Sequence, residues 1–143
     1  MTEKTAVLGS TGSVGRQALD VCRHRNIKVT ALSAGSNISL LEEQIREFSP
    51  GLCAVADERA AADLAVRVAD TGTRIISGKN SAEAIASEAD ADTVLNSVSG
   101  IAGLRPTLAA IRAGKNLALA NKESLVTYGK VVMAEAERRG VMI

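Results

Sequence analysis

Three stretches of this sequence set residues of chemical use at defined spacings. The first is Gly9-Ser10-Thr11-Gly12-Ser13-Val14-Gly15, which follows the apolar run Ala6-Val7-Leu8 and leads into a helix whose inner face is expected to carry Val14, Ala18, Leu19 and Cys22. A strand, a tight turn and a helix in that order aim backbone N–H groups and the positive end of a helix dipole at one point. A phosphate or pyrophosphate fits there. Gly9 lets the chain leave the strand sharply, Gly12 removes a side chain where the backbone approaches a pyrophosphate, and Gly15 lets the helix pack closely on the sheet. Ser10, Thr11 and Ser13 add hydroxyls for phosphate oxygens. The spacing is G-x-x-G-x-x-G, with Thr11 at the second glycine position of the dinucleotide fingerprint. An ordinary strand-to-helix turn without a ligand is the competing reading.

The second stretch is Ala34-Gly35-Ser36-Asn37, at the end of an apolar run beginning at Ile27. A carboxylate about 20 residues past a glycine turn would hold a ribose 2′-hydroxyl, and this chain has none. A 2′-phosphate therefore meets no repulsion, and the backbone around Gly35 with the Ser36 and Asn37 side chains favours NADP over NAD. Asn37 also reads as the cap of the following helix, and the two roles are compatible.

The third stretch is Asn121-Lys122-Glu123, where Leu117-Ala118-Leu119-Ala120 gives way to Ser124-Leu125-Val126. It offers an amide for cofactor hydrogen bonds, an ammonium for an anionic substrate and a carboxylate to orient it. A plain helix start, with Asn121 as cap and Glu123 in the first turn, accounts for the same pattern. Ser97-Val98-Ser99-Gly100 is a further small polar turn at the end of a strand.

The elements that must position these stretches are short apolar runs alternating with helical patterns. Strands are expected near 5–8, 27–33, 52–56, 73–76, 93–97, 116–120 and 141–143, and helices near 13–24, 38–48, 58–70, 81–88, 101–113 and 122–139. Repeated strand-helix-strand units make an α/β fold, a Rossmann-like, doubly wound, mainly parallel sheet with helices on both faces. Ligands then bind at the carboxyl edge of the sheet.

With 143 residues, 46% of them apolar, the chain is long enough for one domain with a real core. The net charge of +1 is made of scattered Lys, Arg, Asp and Glu, and Phe48 and Tyr128 are the only aromatics. Nucleic acid and polybasic membrane surfaces are therefore not expected as partners. Arg138 and Arg139 read as favourable charge at a helix end, and His24 as a solvent-facing cap rather than a catalytic base. Cys22 and Cys53 read as buried free thiols suited to a reducing cytosol. Neither a membrane span nor a leader pattern is visible, so a soluble cytoplasmic protein is expected.

Taken together, GSTGSVG at 9–15, AGSN at 34–37, GLRPTLAAIRAGK at 103–115 and LANKESLV at 119–126 resemble the N-terminal domain of the 1-deoxy-D-xylulose 5-phosphate reductoisomerase family. The resemblance runs from Met1 to Ile143, and ANKESLV is its most specific element. It implies an NADPH-dependent enzyme of the non-mevalonate isoprenoid pathway, requiring Mg²⁺ or Mn²⁺ and acting as a homodimer on a phosphorylated sugar. On that resemblance, Thr11, Gly12, Ser13 and Val14 would lie along the cofactor pyrophosphate, and Gly35, Ser36 and Asn37 at the 2′-phosphate. Asn121 and Glu123 would contact NADPH, and Lys122 the substrate.

This chain departs from the family in two respects. Many members carry Lys or Arg where this chain has Ser36, so a direct ion pair to the 2′-phosphate is missing. The family's acidic metal ligands, its lid and its substrate-phosphate pocket follow the last strand of this domain. No catalytic or metal-binding residue is therefore expected in residues 1–143, which form a cofactor domain expected to be inactive alone. Two other readings stay open: the cofactor domain of an aspartate-semialdehyde or homoserine type of dehydrogenase, and a nucleotide-sensing module without chemistry.

Overall fold

The computed structural model describes residues 3–98, 100–120 and 122–143, the last stretch without the side chains of 122–125 and 127. Strands and helices alternate as the apolar spacing predicts: β1 (Lys4–Leu8), α1 (Ser13–Arg25), β2 (Lys28–Ala34), α2 (Ile38–Phe48), β3 (Leu52–Val55) and α3 (Glu58–Arg67). There follow β4 (Arg74–Ser77), α4 (Ser81–Glu88), β5 (Thr93–Asn96), a 3-10 turn at Ile101–Gly103, α5 (Leu104–Arg112), β6 (Asn116–Leu119) and α6 (Lys122–Arg139). The strands form one sheet in the order β4-β3-β2-β1-β5-β6, and every pairing is parallel.

Alternation along β1 assigns its side chains to two cores. Val7 joins Leu19 and Cys22 of α1, Leu41 and Ile45 of α2 and Leu64 of α3 on one face. Ala6 and Leu8 join Ile85 of α4, Ile111 of α5 and Val132 of α6 on the other. The floor on this second face is built of the small residues Ala6, Ala31 and Ala54, and α4 lies across β3, β2 and β1 there. Bulkier side chains would hold that helix off the sheet. Leu8, Leu32, Leu41, Ile45, Leu64, Ile85 and Ile111 are all within the fully buried set, and each contributes about 1.5–3 kcal/mol by leaving water.

Several ends differ from the sequence expectation for local reasons. The helix expected to 70 stops at Arg67, because Thr71 turns back to donate its N–H and hydroxyl to the Val68 carbonyl at 2.8 and 2.6 Å. The helix expected from 101 begins as a 3-10 turn and becomes α-helical at Leu104, which places Pro106 in the first turn, where its missing N–H costs nothing. The strand expected at 141–143 does not form. Leu117 donates its N–H to the Met142 carbonyl at 2.9 Å, but the Met142 N–H is taken by the Asn116 side chain at 3.0 Å, so no ladder develops.

The isolated polar residues behave as their types suggest. His24 is exposed, with Nδ1 2.8 Å from the Asp20 carbonyl one turn back. Arg138 and Arg139 lie near Glu135 at 3.2 and 3.8 Å. Cys22 and Cys53 are buried free thiols, and burial pushes the Cys53 thiol up to about 12. Among the described residues, no helix is long and apolar enough to cross a membrane.

Candidate functional site

The strand order reverses at β1, which has β2 on one side and β5 on the other, all three running parallel. Such a switch point opens a crevice at the carboxyl ends of the strands, and the glycine turn sits in it. Both neighbours grip the turn. From β2, the Ser33 carbonyl accepts the N–H groups of Gly9 and Ser10 at 3.0 and 2.9 Å. Just past β5, the Ser97 hydroxyl donates to the Leu8 and Gly9 carbonyls at 2.7 and 3.2 Å.

The three glycines of the turn differ in what demands them. Gly9 adopts φ +76°, and a Cβ there would lie 2.8 Å from Ser97 Oγ. A Cβ on Gly15 would lie 2.1 Å from the Gly9 carbonyl oxygen and 2.7 Å from Ser10 Cα, so α1 packs directly on the turn. A Cβ on Gly12 would meet only the Gly9 oxygen, at an ordinary 3.5 Å. The protein itself has room for a side chain at Gly12, which is exposed and lines the crevice. Its bareness keeps the space in front of the turn open for a ligand's backbone contact.

Ser10 corrects the sequence reading. Its hydroxyl was expected on a phosphate, but the residue is fully buried. It donates to Gln44 Oε1 at 2.7 Å, while Gln44 Nε2 donates to the Ser10 carbonyl at 2.9 Å. Thr11 is half-buried and Ser13 exposed; Val14, expected on the inner face of α1, is instead exposed in its first turn, because Gly15, Leu19 and Cys22 form the buried face. That helix starts at Gly12 with no side-chain cap and no acidic residue in its first turn. The starts of α2 and α3 are capped: Asn37 accepts from the Leu40 N–H at 3.3 Å and Asp57 from the Ala60 N–H at 2.9 Å. The positive end of α1 is thus left for an anion.

A cavity of about 630 Å³ opens from this turn, within the size range of small-molecule sites. Gly9 and Gly12 line it with Ser33, Ala34 and Gly35 from the end of β2 and Ala56 from the end of β3. Lys79, Asn80 and Glu83 contribute from the start of α4, and Ser97, Val98, Arg105 and Pro106 from β5 onward. Gly12 and Gly35, assigned by sequence to the pyrophosphate and the 2′-phosphate of a cofactor, share this one cavity. Ser36 and Asn37 are exposed beside it in the chain.

Two of the three remaining predicted residues have a described backbone along the same edge. Asn121 falls outside the described residues. Lys122 and Glu123 open α6, just after Ala120 donates its N–H to the Asn96 carbonyl at 3.1 Å. Among the described residues, no group of three or more His, Cys, Asp or Glu side chains is placed to hold a metal ion.

Sequence reasoning missed the residues that hold the edge in shape. Asn96 is fully buried and donates to the Gly103 carbonyl at 2.8 Å and to Thr107 Oγ1 at 2.9 Å, while its Oδ1 accepts the Val98 N–H at 3.0 Å. Its signal was an amide closing an apolar strand, Thr93-Val94-Leu95-Asn96. Gln44 and Lys79 had no such signal, since each reads as part of a solvated helix or loop.

Fold and turn define a Rossmann-like α/β domain with an anion-ready glycine turn at its switch point. The sequence model of 1-deoxy-D-xylulose 5-phosphate reductoisomerase matches residues 5–129, and the chain belongs to that family. The reductoisomerase of Acetivibrio thermocellus is 51% identical over 143 residues, all of this chain and 38% of its own length. The Zymomonas mobilis enzyme in complex with NADPH superposes with a TM-score of 0.93 at 33% identity, covering 99% of this chain and 38% of that one. A reductoisomerase in complex with NADPH, fosmidomycin and magnesium gives 0.90 at 37% identity over 97% of this chain and 35% of that one. The chain therefore spans little more than a third of the relatives it matches. Family membership sets aside the aspartate-semialdehyde and homoserine dehydrogenase alternatives.

Proposed function

We propose that residues 1–143 are the NADPH-binding domain of a 1-deoxy-D-xylulose 5-phosphate reductoisomerase. The whole protein would isomerise 1-deoxy-D-xylulose 5-phosphate and reduce the product to 2-C-methyl-D-erythritol 4-phosphate. The observation that carries this reading is the uncapped start of α1 behind a bare Gly12, opening into a cavity that reaches Gly35. Thr11, Gly12, Ser13 and Val14 hold the pyrophosphate with backbone N–H groups and hydroxyls. Gly35, Ser36 and Asn37 receive the 2′-phosphate with backbone N–H groups, a hydroxyl and an amide. NADPH, when bound, supplies the hydride.

Lys122 binds the anionic sugar phosphate, and Asn121 and Glu123 orient the cofactor beside it. The described residues gather no ligand set for a divalent cation. The metal site, Mg²⁺ or Mn²⁺, and the homodimer contacts belong to the remaining length of the relatives, and a cytoplasmic setting suits the two free thiols. The chain alone binds NADPH without turnover. Calorimetric titration with NADPH and NADH tests this directly: tight NADPH binding supports the reading, and no binding of either nucleotide at millimolar concentration overturns it.

A further inference from the structure

The loop proposed to receive the 2′-phosphate has no countercharge of its own. Between Lys28 and Glu42 no side chain is ionisable, so Gly35, Ser36 and Asn37 offer only N–H groups, a hydroxyl and an amide. The fold brings a charge to this place from a later strand. Ala56 and Asp57 donate their N–H groups to the carbonyls of Ala34 and Gly35, both at 3.1 Å, and Gly78 donates to the Val55 carbonyl at 3.2 Å. The turns after β2, β3 and β4 are thereby stitched side by side. Gly78 turns the chain at φ +112°, and Ser81 returns its hydroxyl and N–H to the Gly78 carbonyl at 2.7 and 3.1 Å. Lys79 is held between these two residues, on the wall of the cavity that Gly35 also lines.

Adjacent strands lie about 4.8 Å apart, so the turns after β2 and β4 are separated by roughly 10 Å, a gap that a four-carbon ammonium stem and a phosphate can close. Two cations line the cavity. Arg105 faces Glu83 at 4.0 Å, whereas Lys79 is exposed and makes no ion pair or side-chain hydrogen bond among the described residues. The nearby carboxylate of Asp57 accepts the Ala60 N–H at 2.9 Å and keeps its negative charge, so a phosphate bound at this loop calls for a cation on its other side.

We propose that Lys79 is the cation that pairs with the ribose 2′-phosphate of NADPH, supplying from the β4–α4 turn the charge that Ser36 does not carry, and that it sets selectivity for NADPH over NADH. This rests on the cofactor reading above. The test is calorimetric titration of the chain and of Lys79→Ala, Lys79→Arg and Arg59→Ala with both nucleotides. Lys79→Ala should weaken NADPH about tenfold, the effect of one partly exposed charge-assisted contact, and leave NADH unchanged. Unchanged NADH binding also reports an intact fold. Lys79→Arg should restore most of the NADPH affinity, and Arg59→Ala, which removes the same charge from the first turn of α3, should change neither. Equal weakening of both nucleotides, or full NADPH affinity in Lys79→Ala, overturns the assignment of Lys79 alone. A wild-type chain that binds no NADPH overturns the cofactor reading and this assignment with it.

Discussion

The two ends of the sheet are built on opposite electrostatic plans. At the amino edge, charges find each other: Lys4 pairs with Asp90 at 2.9 Å, Arg46 with Asp70 at 2.9 Å, and Arg23 with Glu47. Lys115, mostly buried, donates to the Ser87 and Ala89 carbonyls at the end of α4 at 3.1 and 2.6 Å, and burial lowers its pKa. At the carboxyl edge, glycines and serines predominate, Arg105 and Glu83 meet only at 4.0 Å, α1 has no side-chain cap, and Lys79 makes no ion pair among the described residues. The first edge spends most of its charges on one another. The second leaves helix N–H donors and the cavity-lining Lys79 uncommitted among the described residues, which is what an anionic ligand needs.

The sharpest way to break this contrast is within the glycine turn. Gly15→Ala drives a methyl to 2.1 Å from a backbone oxygen, and should cost about 3 kcal/mol in urea unfolding, the upper range of overpacking. Gly12→Ala should change stability by less than about 0.5 kcal/mol yet weaken NADPH roughly tenfold or more, since the methyl presses on the bound diphosphate. Equal destabilisation by both would mean that Gly12 serves the fold and not a ligand.

Gln44→Leu comes next. It orphans the buried Ser10 hydroxyl and carbonyl, at a cost of about 1–3 kcal/mol, and should loosen the turn enough to weaken NADPH as well. Denaturation and titration of the same variant measure both. A variant with lower stability but unaltered affinity would separate α2 from the positioning of the turn.

The amino edge should respond least. Lys4, Arg23 and Arg46 hold the carboxyls of Asp90, Glu47 and Asp70 below their usual range, chiefly through side-chain hydrogen bonds. A lowered folded-state pKa contributes stability above the ordinary carboxylate range and loses it as pH falls through and below that range. The thermal midpoint should therefore fall on acidification, and fall less in high salt, because all three pairs are exposed and screened. Asp90→Asn should leave the midpoint at neutral pH almost unmoved. A large drop would show that this edge holds more than a solvated ion pair.

Much of the fold was legible because its signals are local. β1 carries a short continuous apolar run, as a strand covered on both faces does, and apolar residues recur every three to four positions in α1; neither signal requires knowledge of the partner. Small errors fell at ends, such as Arg67 and Leu104, where a single cap or proline decides the last turn. The glycine turn was legible for the same reason, since its spacing is a property of seven consecutive residues.

Sequence alone thus determined the order of the six strands and their helices, though not the absence of a strand at 141–143, together with the glycine turn at 9–15 and the polar edge to which Gly35 and Lys122 belong. Tertiary structure alone decided how that edge is used. Ser10 looked like a phosphate ligand until Gln44, 34 positions away, took its hydroxyl into the core. Lys79 carries no local signal, and only parallel pairing through β3 brings the turn after β4 to the same cavity as the turn after β2. Local spacing fixes which groups a turn presents, but their direction and company depend on contacts between segments far apart in the chain.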